Sequence, residues 1–249
     1  MFSLLKRMLK MNFEFEELAW DTNYFGVKTA KITIYNPLNK IEFEELVAST
    51  QDYEFVVINN TNNHPANNVL IGSHSDAFLV DINIQFEMEV SLNNAELYYC
   101  AKNNFQVNKA ISEISNKSFN YSRFFNDPNL DPSFSGKIYF NWVNNSFNNP
   151  DKFFVVAKED EETLGFLLFS IKENKNVVIE LISLNEKAQG KGIGTKLLKS
   201  LHYYCLEEKL EKIYVGTQID NLQAINFYQK KGFNLISKTS IYHYWPRRG

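Results

Sequence analysis

The pattern of apolar and polar residues divides the chain into two parts. Between residues 82 and 90 every second residue is apolar, which is typical of a strand with one buried face, so a strand is predicted over 78–90. The elements predicted before it are strands at 28–35 and 55–58 and helices at 38–49 and, more weakly, at 65–71. This β-α-β-(α)-β unit is too small to be a complete enzyme.

After a turn at Ser91–Asn94 the order of elements changes. The new order is two helices, a meander of three strands, a glycine-rich loop, a helix, a strand, a helix and a last strand. Their predicted bounds are 108–119 and 138–148 for the helices, 153–158, 164–172 and 177–184 for the meander, and 193–205, 213–219, 221–231 and 235–245 for the last four elements. We therefore expect a mixed α/β protein with a smaller domain at 1–92 and a larger one at 93–249.

Composition excludes several classes of protein. The chain has 249 residues, is 44% hydrophobic and carries a formal net charge of −3. It can bury a sizeable core, and without a basic block it is not expected to bind nucleic acid. No apolar stretch approaches the roughly 20 residues of a membrane span, so a cytoplasmic protein without a membrane partner is predicted. Met1–Met11 is interpreted as an extension or a short amphipathic helix, not as a signal peptide.

Cysteine and histidine residues give no sign of a metal. Cys100 and Cys205 are too few for a disulfide framework, and Cys205 lies on the apolar side of a predicted helix, where a buried thiol is expected. The four histidines show no ligand spacing with Cys, Asp or Glu, so no metal is expected.

The strongest chemical signal is the loop Gln189–Gly194, which reads Gln-Gly-Lys-Gly-Ile-Gly. It lies between an apolar strand and a helix, where backbone N–H groups and the helix dipole favour a phosphate or pyrophosphate group. Its spacing is neither that of a P-loop nor that of the dinucleotide fingerprint. The loop alone is equally compatible with a tight surface turn.

A second pattern follows in the chain. It reads Asn221-x-x-Ala224-x-x-Phe227-Tyr228-x-x-x-Gly232-Phe233, with Gly232 placed as a left-handed residue that ends a helix. Together with Gln189-x-x-Gly192-x-Gly194 and the order of elements over 105–245, it resembles the GNAT N-acetyltransferases. The resemblance implies a GNAT fold with a mixed, mostly antiparallel sheet and flanking helices, preceded by a partial GNAT-like domain. It also implies acetyl-CoA as co-substrate.

The same resemblance implies where acetyl-CoA binds. The edge of the strand before the loop can hold the acetyl and pantetheine amides if its neighbour at 213–219 splays away. The implied residues are Leu181, Ile182, Ser183, Leu184, Gln189, Gly190, Lys191, Gly192, Ile193, Gly194, Thr195, Asn221 and Phe227. Asn221 fits equally as a helix N-cap, and the Phe227 ring is expected in the core.

Acetyl transfer needs a base for the amine and an acid for the departing thiolate. Tyr228 fills the position of the acid in the family, although a ring that only packs on the cofactor would fit the sequence as well. Two carboxylates are candidates for the base. Strand alternation places Glu180 on the same face as Leu184, and Asp81 lies where sugar-nucleotide enzymes of the family have a carboxylate near the amine. Each can instead be solvated or ion-paired, a water can relay the proton, and His243 is a third candidate.

A narrower resemblance concerns the substrate. The runs at 18–27 and 215–224 and the aromatic tail that ends at Trp245 are similar to dTDP-fucosamine acetyltransferases. This implies acetylation of a dTDP-linked amino-deoxy sugar for surface glycan synthesis, such as lipopolysaccharide. Arg123 and Phe124 are the substrate candidates, because Arg meets phosphate and aromatic rings stack on flat ligands. Simple packing of this aromatic loop is the alternative.

Two other functions stay open. One is a GNAT enzyme acting on another amine, such as a protein N-terminus or a small metabolite. The other is a non-catalytic module that binds coenzyme A, which the intact glycine loop and Tyr228 disfavour. The expected partner is a small molecule, and the resemblance allows a homodimer.

Overall fold

A computed structural model describes residues 12–118 and 121–246. The prediction for Met1–Met11 therefore lies outside the described residues. In chain order the elements are β1 (Phe13–Glu17), α1 (Ala19–Phe25), β2 (Thr29–Ile34), α2 (Lys40–Ala48), β3 (Phe55–Thr61), α3 (Pro65–His74), β4 (Phe78–Glu89), β5 (Ala101–Asn103), α4 (Lys109–Ser118), α5 (Pro132–Ser146), β6 (Phe153–Glu159), β7 (Glu162–Lys172), β8 (Asn176–Leu184), α6 (Ile193–Glu207), β9 (Lys212–Gln218), α7 (Leu222–Lys230) and β10 (Asn234–Tyr244). Within the described residues, no helix is both long and apolar enough to cross a membrane.

The chain forms two compact units. The first contains residues up to Asn83 together with 123–130 and the chain from Ser237 on, and the second contains 84–122 and 131–236. A single cut between residues 92 and 93 does not reproduce these units. The physical reason is that β4 and β10 are long strands that each give residues to both units.

The first unit has the strand order β1-β2-β3-β10-β4. Strands β2 and β3 are parallel, whereas β1 pairs antiparallel with β2 and β10 pairs antiparallel with β3. Helices α2 and α3 cover its core, which includes Ile32, Phe43, Ile58 and Ile71. Asn39 begins α2 with a capping box, since its side chain accepts from the Glu42 N–H and the Glu42 carboxylate accepts from the Asn39 N–H.

The second unit has the strand order β4-β9-β8-β7-β6-β5. Strands β5 to β8 are antiparallel neighbours, and β8 and β9 are parallel. Helices cover both faces of this sheet. Phe154 packs with residues of α4 and α5, whereas the preceding ring, Phe153, contacts Tyr204 of α6. This alternation along β6 places α4 and α5 on one face and α6 on the other.

The structure confirms the mixed, mostly antiparallel sheet with flanking helices. It also confirms the buried Cys205 and the positive φ of Gly232. The sequence prediction omitted β1, α1 and β5, and it placed the start of α5 too late. That helix begins at Pro132, because the Asp131 side chain accepts from the Ser133 N–H and proline suits the first helical position.

Candidate active site

The parallel pair β8 and β9 separates halfway along its length. Pairing runs from Asn176 opposite Lys212 to Ile179 opposite Val215 and does not continue to the last residues of β8, all of which are described. Glu180 to Leu184 thus present a free strand edge on this side, with backbone groups that need partners. The splayed neighbour that the sequence resemblance implied is present.

A β-bulge accompanies the separation. On the other side of β8, Leu168 pairs with Leu181 but Phe169 pairs with Ile179, so Glu180 is the additional residue. The bulge corrects the prediction that Glu180 shares the face of Leu184. Leu181 packs with residues of α4 and α5 and Glu180 bonds to α5, whereas Leu184 lies against Gly194 in the first turn of α6. Strict alternation fails because the bulge turns two successive side chains towards the same helices.

The glycine loop begins α6 without a side-chain cap. Gly190 and Gly192 have φ values of 75° and 78°, a left-handed conformation that glycine adopts without strain. Gly192 is the N-cap residue, and no side chain bonds to the first turn there. The first N–H groups of α6 therefore lack helical partners and are available to an anion.

Helix α7 begins at Asn221 and carries two aromatic rings. The Asn221 side chain accepts from the Ala224 N–H at 3.1 Å, so the N-cap alternative is realised, and the same residue lines a cavity. Tyr228 is only 3% exposed, and burial raises the pKa of its hydroxyl. Phe227 is half-buried and does not lie in the core as expected. Its ring closely approaches Gly194, where a Cβ would lie 3.4 Å from it.

A cavity of about 830 Å³ joins these elements within the second unit. This volume suits a small-molecule site. The residues that line it and that the sequence had indicated are Ile182, Ser183, Leu184, Gln189, Gly194, Asn221, Phe227 and Tyr228. The open edge of β8, the start of α6 and the two rings of α7 thus face one space.

Other implied cofactor residues lie beside the cavity lining. Leu181 is buried in the core next to α4 and α5, and Ile193 is buried under the loop. Gly190, Lys191 and Gly192 are exposed on the loop. Thr195 is half-buried in the first turn of α6.

Glu180 is held in a polar cluster next to the bulge. Its side chain is 8% exposed, forms an ion pair with Lys152 and accepts a hydrogen bond from Trp142 Nε1 at 3.1 Å. Burial alone would raise the pKa of Glu180, but the hydrogen bond and charge of Lys152, together with Ser170 and Trp142, outweigh burial and hold the pKa below its usual range. The ion-paired alternative for this carboxylate is therefore realised.

Three further predicted site residues belong to the first unit and do not line the cavity. Asp81 is buried. Arg123 lies 3.9 Å from the Asp21 carboxylate and over the ring of Phe124, which packs against Phe25. Arg123 and Phe124 thus contact residues of α1 within the first unit.

His243 is also in the first unit and is fully buried. Its Nδ1 lies 2.6 Å from Asp127 Oδ2, and Trp245 Nε1 donates to the same oxygen at 3.0 Å. Burial lowers the pKa of His243 to about 4, although Asp127 acts in the opposite direction. With Phe55 and Phe124 packed on the imidazole, this histidine has a structural environment.

Helix α4 and the turn between β6 and β7 contribute cavity residues that sequence reasoning missed. These residues are Ala110, Glu113, Ile114, Lys117, Ser118, Glu161, Glu162 and Thr163. No local motif marks them, because the antiparallel pairing of β7 with β8 brings the turn to the cavity. Across the described ranges, no group of three or more His, Cys, Asp or Glu residues could hold a metal ion.

Comparison with known proteins agrees with this geometry. Residues 110–233 match the model of the acetyltransferase (GNAT) family. The chain is 30% identical over 138 residues to the spore coat polysaccharide biosynthesis protein SpsD of Bacillus subtilis, covering 55% of this chain and 47% of SpsD. It is 34% identical over 80 residues to the spermine/spermidine N(1)-acetyltransferase of the same organism, covering 29% of this chain and 53% of that enzyme. It thus spans about half the length of these curated relatives.

A solved structure shows the same fold over nearly the whole chain. The GCN5-related N-acetyltransferase of Sphaerobacter thermophilus superposes with a TM-score of 0.63 at 12% identity, covering 96% of this chain and 78% of that one. The matched segment 110–233 falls within the 105–245 region that the order of elements indicated. Through that segment, which contains the open strand edge, the glycine loop and Tyr228, the chain carries a domain of the acetyltransferase (GNAT) family.

Proposed function

We propose that the protein is an acetyl-CoA-dependent N-acetyltransferase whose active site is the cavity of the second unit. The observation that carries the proposal is the convergence of three groups on that cavity. They are the unpaired edge of β8, the uncapped start of α6 and the buried Tyr228. A strand edge suits the amides of pantetheine, and a helix start suits pyrophosphate.

Each group has a separate role in this proposal. Acetyl-CoA supplies the acetyl thioester. Backbone N–H groups of residues 181–184 orient it and stabilise the negative charge on its carbonyl oxygen. The raised pKa of Tyr228 keeps its hydroxyl protonated at neutral pH, so it can donate a proton to the departing thiolate. Gln189–Gly194 and Asn221 bind the rest of the coenzyme.

The proposed acceptor is the amino group of a nucleotide-linked amino-deoxy sugar that is used for a surface glycan. The similarity to SpsD supports this, since that protein is named for spore coat polysaccharide biosynthesis. The narrower resemblance to dTDP-fucosamine acetyltransferases, carried by the run at 18–27, points the same way. A dTDP-linked sugar is therefore the first substrate to test.

A second candidate acceptor is a polyamine. Four exposed carboxylates and a single lysine, Lys117, belong to the cavity lining. The carboxylates are those of Glu113, Glu161, Glu162 and Glu186. Such a lining favours a cationic acceptor over the diphosphate of a nucleotide-linked sugar. The similarity to the spermine/spermidine acetyltransferase also supports a polyamine acceptor.

Thiol release from acetyl-CoA tests these proposals. The purified full chain is mixed with acetyl-CoA and, separately, with dTDP-4-amino-4,6-dideoxygalactose, spermidine, glucosamine and a peptide with a free N-terminus. We expect release with the dTDP-linked sugar and a product 42 Da heavier by mass spectrometry, which is the mass of one added acetyl group. Release only with spermidine would favour the polyamine. Binding of acetyl-CoA without release on any amine would favour the non-catalytic module.

Several narrower points stay predictions. They are the cytoplasmic location, the homodimer, the absence of a metal cofactor and the division of function between residues 1–92 and 93–249. Arg123 and Phe124 remain proposed substrate residues, and Asp81 remains an alternative base.

A further inference from the structure

A glycine in β7 lies against the end of β8. Gly165 is buried and pairs with Ala157 of β6 on one side and with Leu184 of β8 on the other. A Cβ added to Gly165 would lie 2.5 Å from Leu184 Cδ2 and 2.6 Å from the Ser183 carbonyl oxygen. Both distances are shorter than the contacts that a Cβ makes in proteins, so only glycine lets the two strands approach this closely.

The side chain of Leu184 fills the space over this glycine. Its Cδ2 methyl group lies over Gly165, and its Cδ1 methyl group lies 3.9 Å from the position of a Cβ added to Gly194. Gly194 is in the first turn of α6. Leu184 thus packs between two glycines, one on β7 and one on α6, and it links the open edge of β8 to the uncapped start of α6.

The free edge of β8 decides which strand moves when bulk is added at Gly165. Strand β7 is paired with β6 on one side and with β8 on the other. The last residues of β8, all within the described range, are unpaired on the side of β9 after Ile179. A backbone oxygen cannot rotate away as a side chain can, so an added methyl group would displace Ser183 and its neighbours. These residues belong to the segment 181–184 that the proposed function assigns to the acetyl thioester.

We propose that Gly165 is a positioning residue that sets the distance between the two places where acetyl-CoA is held. This inference rests on the proposed acetyltransferase function. The edge of β8 holds the acetyl and pantetheine half, and the loop Gln189–Gly194 holds the nucleotide half. Gly165 is outside the cavity lining and acts through Ser183 and Leu184, which belong to it.

Binding of the whole coenzyme and of its nucleotide half to the full chain tests the proposal. Acetyl-CoA and adenosine 3′-phosphate 5′-diphosphate are titrated calorimetrically. We expect Gly165→Ala to bind acetyl-CoA about tenfold more weakly and the nucleotide half with unchanged affinity, because only the pantetheine half depends on the edge of β8. Gly72→Ala, which adds a Cβ in open space, is the matched control and should change neither affinity. Unchanged acetyl-CoA affinity in Gly165→Ala, or equal losses for both ligands, overturns the proposal.

A second background keeps the test valid if the single variant folds poorly. Leu184→Ala removes the methyl group that a Cβ at Gly165 would meet but leaves the Ser183 oxygen in place. Any direct contact of Leu184 with the coenzyme is lost in both Leu184→Ala and the double variant, so it cancels between them. We expect the double variant to bind acetyl-CoA about tenfold more weakly than Leu184→Ala. Equal affinity of these two proteins would assign the effect to the leucine side chain and overturn the proposal.

Thiol release with the amine found active adds a catalytic measurement. At saturating acetyl-CoA we expect Gly165→Ala to lower kcat by about tenfold or more, since a shift of about 1 Å in a positioning element can cost about 100-fold. A wild-type chain that binds acetyl-CoA while Gly165→Ala binds it equally well overturns this inference alone. A wild-type chain that binds no acetyl-CoA overturns the proposed function and this inference with it.

Discussion

At the level of single residues, Tyr228 is the group on which the proposed chemistry depends most. We expect Tyr228→Phe to lower turnover by about 100-fold or more, the usual effect of losing a general acid, with acetyl-CoA affinity retained. The ring contacts with Phe227 and Phe86, at centroid distances of 5.4 and 5.8 Å, are available to phenylalanine as well. Thiol release and calorimetric titration measure the two quantities separately. Near-normal turnover would show that the ring only packs on the cofactor.

His243 makes stability depend on pH. Its pKa is lowered from 6.5 to about 4 in the folded chain, so the unfolded chain binds more protons below pH 6.5. The stability contribution is complete above pH 6.5 and is lost as pH falls towards 4, with a size of up to about 3 kcal/mol. His202 is also buried, and its pKa is also lowered to about 4, so it makes stability depend on pH over the same pH range.

Urea unfolding at pH 7.5 and pH 5 tests this dependence. His243→Gln should reduce the pH sensitivity of the midpoint, leaving the part that belongs to His202. His74→Gln, a change of a half-exposed histidine, should leave it as in the wild type. Equal pH sensitivity in all three proteins would contradict a buried neutral His243.

The sequence predicted the local geometry of two positions well: Gly232 has a positive φ and Asn221 is a helix N-cap, because both features depend on nearby residues alone. The roles of Tyr228 and the glycine loop in catalysis and binding stay predictions. The surroundings of Glu180 were not predictable in the same way. Its partners Lys152 and Trp142 are far away in sequence, and a bulge reverses the face that alternation assigns to it.

Among the secondary-structure elements, β8 is where fold and proposed function meet. Its N-terminal half is paired on both sides, whereas Glu180 to Leu184 are free on the side of β9. We expect amides of residues 180–186 to exchange with deuterium faster than those of β7 and to become protected when acetyl-CoA is added. Exchange measured by mass spectrometry, with a β7 peptide as internal control, checks this. Protection confined to other segments would place the coenzyme elsewhere.

A second element-level feature is the asparagine network around α3. Asn67 is buried, accepts from the Leu38 N–H at 2.9 Å and donates to Asn60 Oδ1 at 3.0 Å. We expect Asn67→Ala to lower the free energy of unfolding by about 1–3 kcal/mol, because buried partners lose their bonds. Asn23→Ala, on the exposed side of α1, should change it by less than about 0.5 kcal/mol. Equal unfolding midpoints for both variants would contradict a structural role for the network.

The sequence predicted strongly periodic elements such as β4, α4 and the meander well, since their apolar spacing reflects their own burial. It missed β5, which is short and depends on pairing with β6. It also missed β1, whose charged residues suit an edge position in the sheet.

At the scale of the molecule, chain order and spatial grouping differ. Residues 123–130 belong with the first unit although they lie between helices of the second, and β4 and β10 contribute to both. Such grouping depends on long-range contacts that no local pattern encodes. The resemblance to acetyltransferases could nevertheless be read from the sequence, because the glycine loop and the Asn221–Phe233 pattern are local and both lie within one unit.

The central claim is that acetyl-CoA binds in the second unit through the glycine loop, and calorimetric titration of the full chain with acetyl-CoA tests it most directly. Gly192 has φ +78° with open space around its Cα, so Gly192→Ala adds no clash but strains the loop by about 1–2 kcal/mol. We predict one site in the wild type, roughly tenfold weaker binding in Gly192→Ala and unchanged binding in Gly72→Ala, a helical glycine with nothing within 4 Å of an added Cβ. No binding by the wild type, or equal affinity in Gly192→Ala, would contradict the account.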